Sequence, residues 1–318
     1  MLLSVIVPIR NEIRYIKDSF KSIMESISTI ESEVFFIDGK STDGTYEWLI
    51  DAVKNHKNCY LRNNDNRTVS KSFNSVFNET KGQYISRIDG HTIYPKTYFE
   101  DSIQIIKIKN VDVVGGPAKH IGKNWKGKTI ATCMMSIFGV GNSKFRISKI
   151  ESYVDTIPFP VYKRSVLNDV GLYDEELIRN QDDELNYRCI SKGYKIFMSP
   201  ILMTKYIVRD NLLDLWKQYF FYGYYKPLVF KKVKQSFKLY QFIPLIHTFF
   251  SILAFILSYL NLYYLSYFLL YFLFTIIFSL INNNSMRSFL FGVLVYTCLH
   301  YSYGVGMQIG YLKRFIKK

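Results

Sequence analysis

The chain has 318 residues, of which 48% are hydrophobic and 17% aromatic, and its 41 basic and 26 acidic residues give a formal charge of +15. This length suffices for one sizeable domain with appendages. Long apolar runs accompany the positive charge in the last third, which favours an anionic membrane surface as partner and excludes a nucleic-acid-binding class. Four cysteines lack the spacing of metal sites and are expected to be reduced, buried thiols of a cytosolic protein: Cys59, Cys133, Cys189 and Cys298. The first residues have no charged segment or cleavage site, so no signal peptide is expected.

Strand and helix patterns alternate through the first 90 residues. Apolar runs buried on both faces predict strands, and apolar residues on one helical face predict helices between them. The predicted strands cover residues 2–9, 34–37, 59–61 and 84–88, and the predicted helices follow Asn11, Thr45 and Thr68. The alternation predicts an α/β fold with a Rossmann-like, mostly parallel sheet and right-handed crossovers.

Polar residues follow three of these strands, in Pro8–Glu12, Asp38–Thr45 and Asp89–His91. Ligands of such sheets bind beyond the carboxyl ends of the strands, so these segments form the candidate binding site. An acid after the second strand can accept hydrogen bonds from a ribose hydroxyl or a base N–H, although no dinucleotide or P-loop motif is present. Asp89 and His91 stand two apart on one side of the chain and can hold Mg²⁺ or Mn²⁺ against a diphosphate. The alternative for these two residues is an ordinary turn.

Three consecutive acids, Asp182, Asp183 and Glu184, precede a helical pattern that ends at Gly193. The simplest interpretation is that acids in a first helical turn interact with the positive end of the helix dipole. The alternative is a site in which Asp89 holds a metal and one of these acids deprotonates an acceptor. From the residues alone, Asp182, Asp183 and Glu184 are all candidates for that base.

Several ordered segments resemble one enzyme family, the inverting family 2 glycosyltransferases with the GT-A fold. They are Val7–Glu12, Ile37–Thr45, Arg87–His91 in place of the family's Asp-x-Asp, and Asp182 with Leu185 and Arg188. The middle segments 138–142, 154–156 and 171–177 resemble the succinoglycan glucosyltransferase-like, membrane-associated branch. The resemblance covers roughly residues 3–230.

The resemblance implies roles for individual residues. A nucleotide sugar would be contacted by Pro8, Arg10, Glu12, Asp38, Lys71, Arg87 and Asp89. A divalent cation, Mg²⁺ or Mn²⁺, would lie at Asp89 and His91, and Asp182 would be the catalytic base. Acceptor binding or closure would involve Asn142, Asp183 and Gln218.

Two positions depart from the family pattern. His91 stands where many relatives have Asp, which questions the metal preference. Gln181 stands where the family usually has Glu, which removes a negative charge beside Asp182 and is expected to disfavour a raised pKa on that residue.

Aromatic and basic residues of the middle region have two interpretations each. Trp125 and Tyr153 either stack on a sugar ring or pack in the interior, and 162–164 either reach a phosphate or form a solvated surface. The segment 138–146 has no regular period and is predicted to be a recognition loop.

The last third predicts a membrane attachment after a catalytic domain at 1–208. Residues 209–240 combine an apolar stripe with six lysines, as in an in-plane interfacial helix, and the alternative is a core helix with a solvated basic tail. In 241–318, the apolar runs 243–260 and 262–281 are long enough to span a membrane and are expected to form a tight hairpin. A third span at 289–312 would place four basic residues outside, so a re-entrant or interfacial element is left open there.

These patterns and the resemblance together predict a membrane-anchored inverting glycosyltransferase of surface polysaccharide biosynthesis. Its catalytic domain is expected in the cytoplasm, on a multi-pass attachment to the plasma (inner) membrane. The partners are a nucleotide-sugar donor and a lipid-linked or saccharide acceptor. The alternatives are a polyprenyl-phosphate glycosyltransferase and a non-catalytic nucleotide-sugar-binding scaffold.

Overall fold

The computed structural model describes residues 1–141 and 149–316. The strands are β1 (Leu3–Ile9), β2 (Ser32–Asp38), β3 (Cys59–Asn63), β4 (Tyr84–Arg87), β5 (Thr92–Ile93), β6 (Val113–Gly115), β7 (Ala118–Ile121), β8 (Ser152–Tyr153), β9 (Val161–Lys163), β10 (Ile196–Met198) and β11 (Thr204–Ile207). The helices are α1 (Ile16–Ser26), α2 (Thr45–Lys54), α3 (Val69–Phe77), α4 (Tyr98–Lys109), α5 (Trp125–Met135), α6 (Ile137–Val140), α7 (Arg164–Val170), α8 (Gln181–Ser191), α9 (Leu212–Lys232), α10 (Ile243–Leu257), α11 (Ser266–Asn282) and α12 (Met286–Ile316). Contacts divide the chain into two compact units, which within the described residues are 1–119 with 149–207 and 120–141 with 208–316.

The first unit is built on an eight-stranded sheet in the order β3-β2-β1-β4-β9-β6-β10-β8. The four strands predicted from the sequence are mutually parallel, and β9 enters antiparallel between β4 and β6. Successive residues of β1 face opposite sides, so that Val5 and Val7 pack with α1 and α4 residues while Ile6 packs with α3 and α7 residues. Helices therefore cover both faces of the sheet, and the α/β fold expected from the sequence is confirmed.

The loop after β1 is longer than the sequence pattern predicts. The first helix begins at Ile16, and the loop before it contains Asn11 in a left-handed backbone conformation with φ of 55°. The backbone N–H groups of Asn11 and Glu12 donate to the hydroxyls of Ser41 and Thr45, both at 2.9 Å. The loops after β1 and β2 thus hold one another in place beyond the carboxyl ends of their strands.

The second unit takes α5 and α6 from the middle of the chain, whereas the sequence-based division places all of 1–208 in the catalytic domain. Phe138 of α6 stacks on Phe278 of α11 with ring centroids 4.4 Å apart. Its carbonyl oxygen lies 2.7 Å from Nε2 of His300 on α12. The part of the predicted recognition loop that is described is therefore a short helix packed on apolar helices, and its remainder lies outside the described residues.

Three stretches of this unit are long and apolar enough to span a membrane, Leu239–Leu257, Leu262–Asn282 and Met286–Arg314. The third belongs to the single continuous helix α12, so its glycines do not break it into a re-entrant element. His247, near the start of α10, contacts Tyr267 and Tyr271 near the start of α11. In a tight antiparallel hairpin the start of one helix faces the end of the other, so the hairpin prediction is wrong.

Candidate active site

The ends of β1, β2 and β4 bring three buried polar side chains to one edge of the sheet. The register pairs Ile9 with Asp38 across β1 and β2, and Ile6 with Arg87 across β1 and β4. Glu12, Asp38 and Arg87 are each almost fully buried there, at 6%, 2% and 4% exposure. One carboxylate oxygen of Asp38 accepts a 2.9 Å hydrogen bond from the Ser41 N–H. The other is buried without a hydrogen-bond partner among the described residues, so it can accept a bond from a ligand hydroxyl or N–H.

His91 lies between two carboxylates, those of Glu12 and Asp89. Its Nδ1 is 3.0 Å from Oε1 of Glu12 and its Nε2 is 3.9 Å from Oδ2 of Asp89. Both ring nitrogens are buried without a hydrogen-bond partner among the described residues, so Nε2 can present a lone pair to a metal ion. Asp89 Oδ2 and His91 Nε2 therefore fit two positions around one divalent cation.

These two donors do not make a closed metal site. Within residues 1–141 and 149–316 no three His, Cys, Asp or Glu side chains are grouped to hold an ion. Mg²⁺ is commonly held by one or two carboxylates together with substrate phosphates and water. The remaining positions would have to come from a diphosphate and water, so the residues suit a cation that arrives with its substrate.

Arg87 joins the candidate metal site to the acidic helix. One terminal nitrogen of its guanidinium donates to Oδ1 of Asp89, and the other donates to Oδ2 of Asp182 at 3.3 Å. Burial disfavours the charged form, but the two carboxylates outweigh it and raise the pKa of Arg87. A permanent cation thus holds the two carboxylates in one cluster.

Asp182 occupies the first turn of α8, as the sequence predicts, and its side chain retains 27% exposure. Its Oδ1 accepts a 2.9 Å hydrogen bond from the hydroxyl of Tyr173. Burial raises the pKa of Asp182 above its ordinary value, while Arg87 and the Tyr173 hydroxyl act in the opposite direction. The pKa of Asp182 is thus raised even with Gln181 at the preceding position, because the dominant cause is desolvation of the buried carboxylate. The effect of Gln181 itself stays a prediction.

The other two acids of this turn have structural partners. Asp183 accepts a 2.9 Å hydrogen bond from the Thr156 hydroxyl. Glu184 is buried at 3% exposure and receives two 2.7 Å hydrogen bonds from Arg188. Glu184 is therefore paired with Arg188 inside the protein, whereas Asp182 contacts Arg87 of the Arg87–Asp89 pair.

Replacing Arg188 with Ala is expected to lower stability, with no direct effect on chemistry. Arg188 also donates to the carbonyl oxygens of Val170 and Leu172, so the variant leaves a buried Glu184 carboxylate and two carbonyls without this donor. Removing one partner of a buried ion pair costs about 3–5 kcal/mol. Thermal unfolding of the purified protein measures the loss, and Lys192→Ala, which removes an exposed pair with Asp169, is the matched control. An unchanged unfolding midpoint for Arg188→Ala would contradict this role.

The remaining predicted residues occupy varied positions. Pro8 lies within β1 opposite Ile37, and Arg10 is exposed beside Gly39. Lys71 lies in the first turn of α3, where its Nζ donates to the side-chain oxygen of Asn66 at 3.3 Å. Gln218 belongs to the second unit, where it donates to the Tyr222 hydroxyl, and Asn142 lies outside the described residues.

The aromatic and basic candidates of the middle region are used in packing, with one exception. Trp125 packs against the Phe291 ring and the Arg287 guanidinium, whose carbon lies 3.7 Å from a ring centroid of Trp125. Tyr153 is 59% exposed and can still meet a ligand. The three residues predicted to reach a phosphate or solvent have internal partners: Tyr162 with Asn186, Lys163 with Asp112, and Arg164 with Gly82 and Thr80.

Sequence reasoning missed the hydrogen bond between Tyr173 and the candidate base. Tyr173 is buried at 3% exposure, and its ring packs edge-on against Phe73. The segment 171–177 was singled out by its resemblance, but apolar periodicity gives no sign that a tyrosine hydroxyl meets a carboxylate nine residues away.

Replacing Tyr173 with Phe is expected to move the acidic limb of the kcat–pH profile to higher pH. The hydroxyl lowers the pKa of Asp182, so its loss raises that pKa, and a base must be ionised to act. Above the limb, kcat is expected to fall by about 10- to 10²-fold, since one hydrogen bond to a charged group contributes about 1.5–3 kcal/mol and each 1.4 kcal/mol is about a factor of ten in rate. Tyr194→Phe, which removes an exposed bond to Asp169, is the control, and an unmoved limb would contradict the assignment.

Known proteins are similar to this chain in sequence. The sequence model of Glycosyl transferase family 2 matches residues 4–171. The succinoglycan biosynthesis protein ExoA of Rhizobium meliloti is 28% identical, over 76% of this chain and 74% of its own length. A dolichyl N-acetyl-α-D-glucosaminyl phosphate 3-β-D-2,3-diacetamido-2,3-dideoxy-β-D-glucuronosyltransferase of Methanococcus voltae is 26% identical, over 72% of this chain and 74% of its own length.

Solved structures give the same fold. Residues 1–349 of S. aureus TarS with UDP-GlcNAc superpose with a TM-score of 0.51 at 19% identity, over 71% of this chain and 67% of that one. The same fragment with UDP gives 0.52 at 17% identity, over 96% and 92%. The catalytic fold is therefore GT-A. Because the family match covers more than half of the chain, the protein belongs to glycosyl transferase family 2 and is a glycosyltransferase.

Proposed function

We propose that this enzyme transfers a sugar from a nucleotide-sugar donor to a hydroxyl of a lipid-linked saccharide, at the cytoplasmic face of the plasma membrane, in surface polysaccharide biosynthesis. The observation that carries this proposal is the single buried cluster in which Arg87 contacts both Asp89 and Asp182. One carboxylate there faces a diphosphate and its cation, and the other faces an acceptor. Inversion in one displacement requires these two functions close together, on opposite sides of the sugar carbon.

The nucleotide-sugar donor is proposed to bind at the edge of the sheet formed by the ends of β1, β2 and β4. The buried, unpaired oxygen of Asp38 suits a ribose hydroxyl or a base N–H, and the fixed loop 8–12 lies beside it. The residues that we propose to contact the donor are Pro8, Arg10, Glu12, Asp38, Lys71, Arg87 and Asp89. TarS, which shares the fold, is solved with UDP-GlcNAc and with UDP, and this supports a uridine nucleotide sugar as the first donor to test.

The divalent cation is proposed to be held by Asp89 and His91. When bound, it neutralises charge on the leaving diphosphate. Oε1 of Glu12 lies 3.0 Å from Nδ1 of the His91 ring. Arg87 binds Oδ1 of Asp89, and Oδ2 of Asp89 is the oxygen that lies 3.9 Å from Nε2 of His91. We propose Mg²⁺ or Mn²⁺, since carboxylate oxygens suit both ions and the imidazole favours Mn²⁺ of the two.

Asp182 is proposed to take the proton from the acceptor hydroxyl. The acceptor oxygen then forms its bond to the anomeric carbon as the bond to the diphosphate breaks on the opposite face. Tyr173 and Arg87 each hold one oxygen of Asp182, so the carboxylate has a fixed orientation and keeps a lone pair for the proton. Asp183, Gln218 and Asn142 are proposed to contribute to acceptor binding or closure.

The acceptor class rests on the apolar helices and on the relatives. A membrane-attached enzyme meets lipid-linked saccharides at the bilayer surface, and relatives named for succinoglycan biosynthesis and for a dolichyl phosphate glycan support such an acceptor. A polyprenyl-phosphate acceptor is the second candidate, and it would not need Asp182 because a phosphate is already ionised.

Transfer in native membranes tests the proposal. Membranes containing the full chain receive radiolabelled nucleotide sugars with Mg²⁺, Mn²⁺ or a chelator, and the labelled lipid is hydrolysed in mild acid. We expect cation-dependent label in a disaccharide or longer saccharide. Label released only as a monosaccharide would identify the polyprenyl-phosphate reaction. Donor binding without transfer to any lipid extract would favour a non-catalytic scaffold.

A further inference from the structure

The order of contacts along α12 gives the directions of the other long helices of the second unit. The Leu212 carbonyl at the start of α9 lies 3.6 Å from the Cys298 thiol. Further along both helices, Gly306 packs so closely on Phe220 that a Cβ would lie 2.1 Å from the Phe220 carbonyl oxygen. The two residues of each pair are the same distance apart in the sequence, so α9 and α12 run parallel. The absence of a side chain at Gly306 allows their backbones to come into contact.

The next helix, α10, runs in the opposite direction to α12. The carbonyl of Leu245 near its start accepts a bond from Gln308 at 3.5 Å. Ser251, further along α10, lies 2.9 Å from the Tyr301 hydroxyl. As residue numbers rise along α10, the residue numbers of its partners on α12 therefore decrease.

Helix α11 has the same direction as α10. Tyr271 near its start lies 3.1 Å from His300, and Ser279 near its end donates to the carbonyl of Phe289 at 2.7 Å. The residue numbers of its partners on α12 therefore decrease along α11 as well. Two helices that follow one another in the chain thus point the same way along α12.

This arrangement is incompatible with two successive membrane crossings by α10 and α11. A helix that crosses must be followed by one that crosses back, unless the connection itself returns across the hydrocarbon core of about 30 Å. The connection is residues 258–265, and four of these, Leu262–Leu265, form a 3₁₀ turn. Eight residues reach at most about 29 Å when fully extended, and a 3₁₀ turn rises only about 2 Å per residue.

The charges of α9 lead to the same conclusion. This helix exposes Asp214 and Lys217 near its start, and it is not among the candidate spans of the described chain. Its carbonyl at Tyr224 accepts a 3.0 Å bond from Arg314 near the end of α12. The lysines that end α9 therefore lie at the same end of the unit as the basic end of α12. If α12 crossed the membrane, α9, which packs parallel to it, would have to enter the membrane together with its exposed charges.

We propose that this unit attaches to the membrane from one face, in contact with one leaflet, and that none of its helices crosses. The outward sides of α10 and α11 are strongly apolar and exposed, for example Phe255 at 70% and Leu269 at 72%, and these sides enter the acyl region. The basic ends, with Lys231, Lys232 and Lys313, stay at the anionic headgroups of the cytoplasmic leaflet. This replaces the multi-pass expectation, and it is independent of the reaction catalysed.

Cysteine labelling of the full chain in cells tests the proposal. Single exposed positions are changed in the connections and at the end: Asn261→Cys, Ser285→Cys and Lys313→Cys. The unaltered chain, whose four cysteines are buried or half-buried, gives the background, and Lys57→Cys on the first unit is the cytoplasmic control. A membrane-impermeant maleimide is applied to intact cells, to permeabilised cells and after denaturation in SDS. Co-sedimentation with membranes verifies that each variant is inserted.

The single-face attachment predicts that no position is labelled in intact cells, and that 285 and 313 react after permeabilisation together with the control at 57. Position 261 is expected to react fully only in SDS, since it lies among apolar residues at the leaflet. Labelling of 261 in intact cells would show crossing by α10, and labelling of 313 would show crossing by α12. Either result would overturn the proposal, and so would a position 313 that remains unreactive after permeabilisation.

Discussion

Asp182→Asn is expected to lower kcat by about 10²–10⁴-fold, the usual contribution of a positioned general base. The amide has nearly the shape of the carboxylate and can still accept from Tyr173, but it cannot take the acceptor proton. Donor binding is expected to persist, because the residues proposed to bind the nucleotide lie at or just beyond the ends of β1, β2 and β4 and, for Lys71, on α3. Nucleotide titration and initial rates of transfer measure the two effects separately.

The matched control is Asp169→Asn, which removes an exposed acid that pairs with Lys192. This variant is expected to retain the wild-type rate. Full transfer by Asp182→Asn would remove the base assignment and favour a phosphate acceptor. Loss of donor binding together with the rate would indicate instead that Asp182 acts through Arg87 on the donor site.

Asp89→Asn is expected to abolish cation binding at the donor site and to lower kcat/KM by about 10²-fold or more, since a cation supplies several kcal/mol of stabilisation to the leaving charge. Asn keeps an oxygen for Arg87 but gives the cation no negative ligand. Electron paramagnetic resonance of Mn²⁺ with UDP present measures the binding without turnover. Asp101→Asn, on α4, is the control.

Wild-type Mn²⁺ binding is expected to depend strongly on UDP, because Asp89 and His91 supply only two ligands. The Asp89→Asn variant is expected to show only the spectrum of free Mn²⁺ at concentrations that saturate the wild type. An unchanged bound fraction in this variant would place the cation elsewhere.

The sequence predicted the parallel half of the sheet and the acids at its edge. Continuous apolar runs such as that of β2 have few alternatives to a buried strand, and the polar residues that end such strands meet because parallel strands share an edge. The acidic first turn of α8 was also predictable. Leu185 and Cys189 pack in the same hydrophobic core, so their spacing marks the helix that the acids begin.

What the sequence did not predict depends on distant contacts. Residues 120–141 join the C-terminal unit, where Tyr296 bonds to Ser136 across 160 positions of the chain. The directions of α10 and α11 follow from their packing on α12, whereas hydropathy reports only length and apolarity. The role of Tyr173 depends on one hydroxyl position, which periodicity does not report.

The most direct test of the central claim is the anomeric configuration of the product. Wild-type membranes are incubated with an α-linked nucleotide sugar labelled with ¹³C at the anomeric carbon, and the product is examined by NMR before any rearrangement. A single displacement, with Asp182 as base and the diphosphate leaving on the side of Asp89, predicts a β-linked product. An α-linked product would require two displacements or a front-face path, and it would contradict the mechanism proposed for this site.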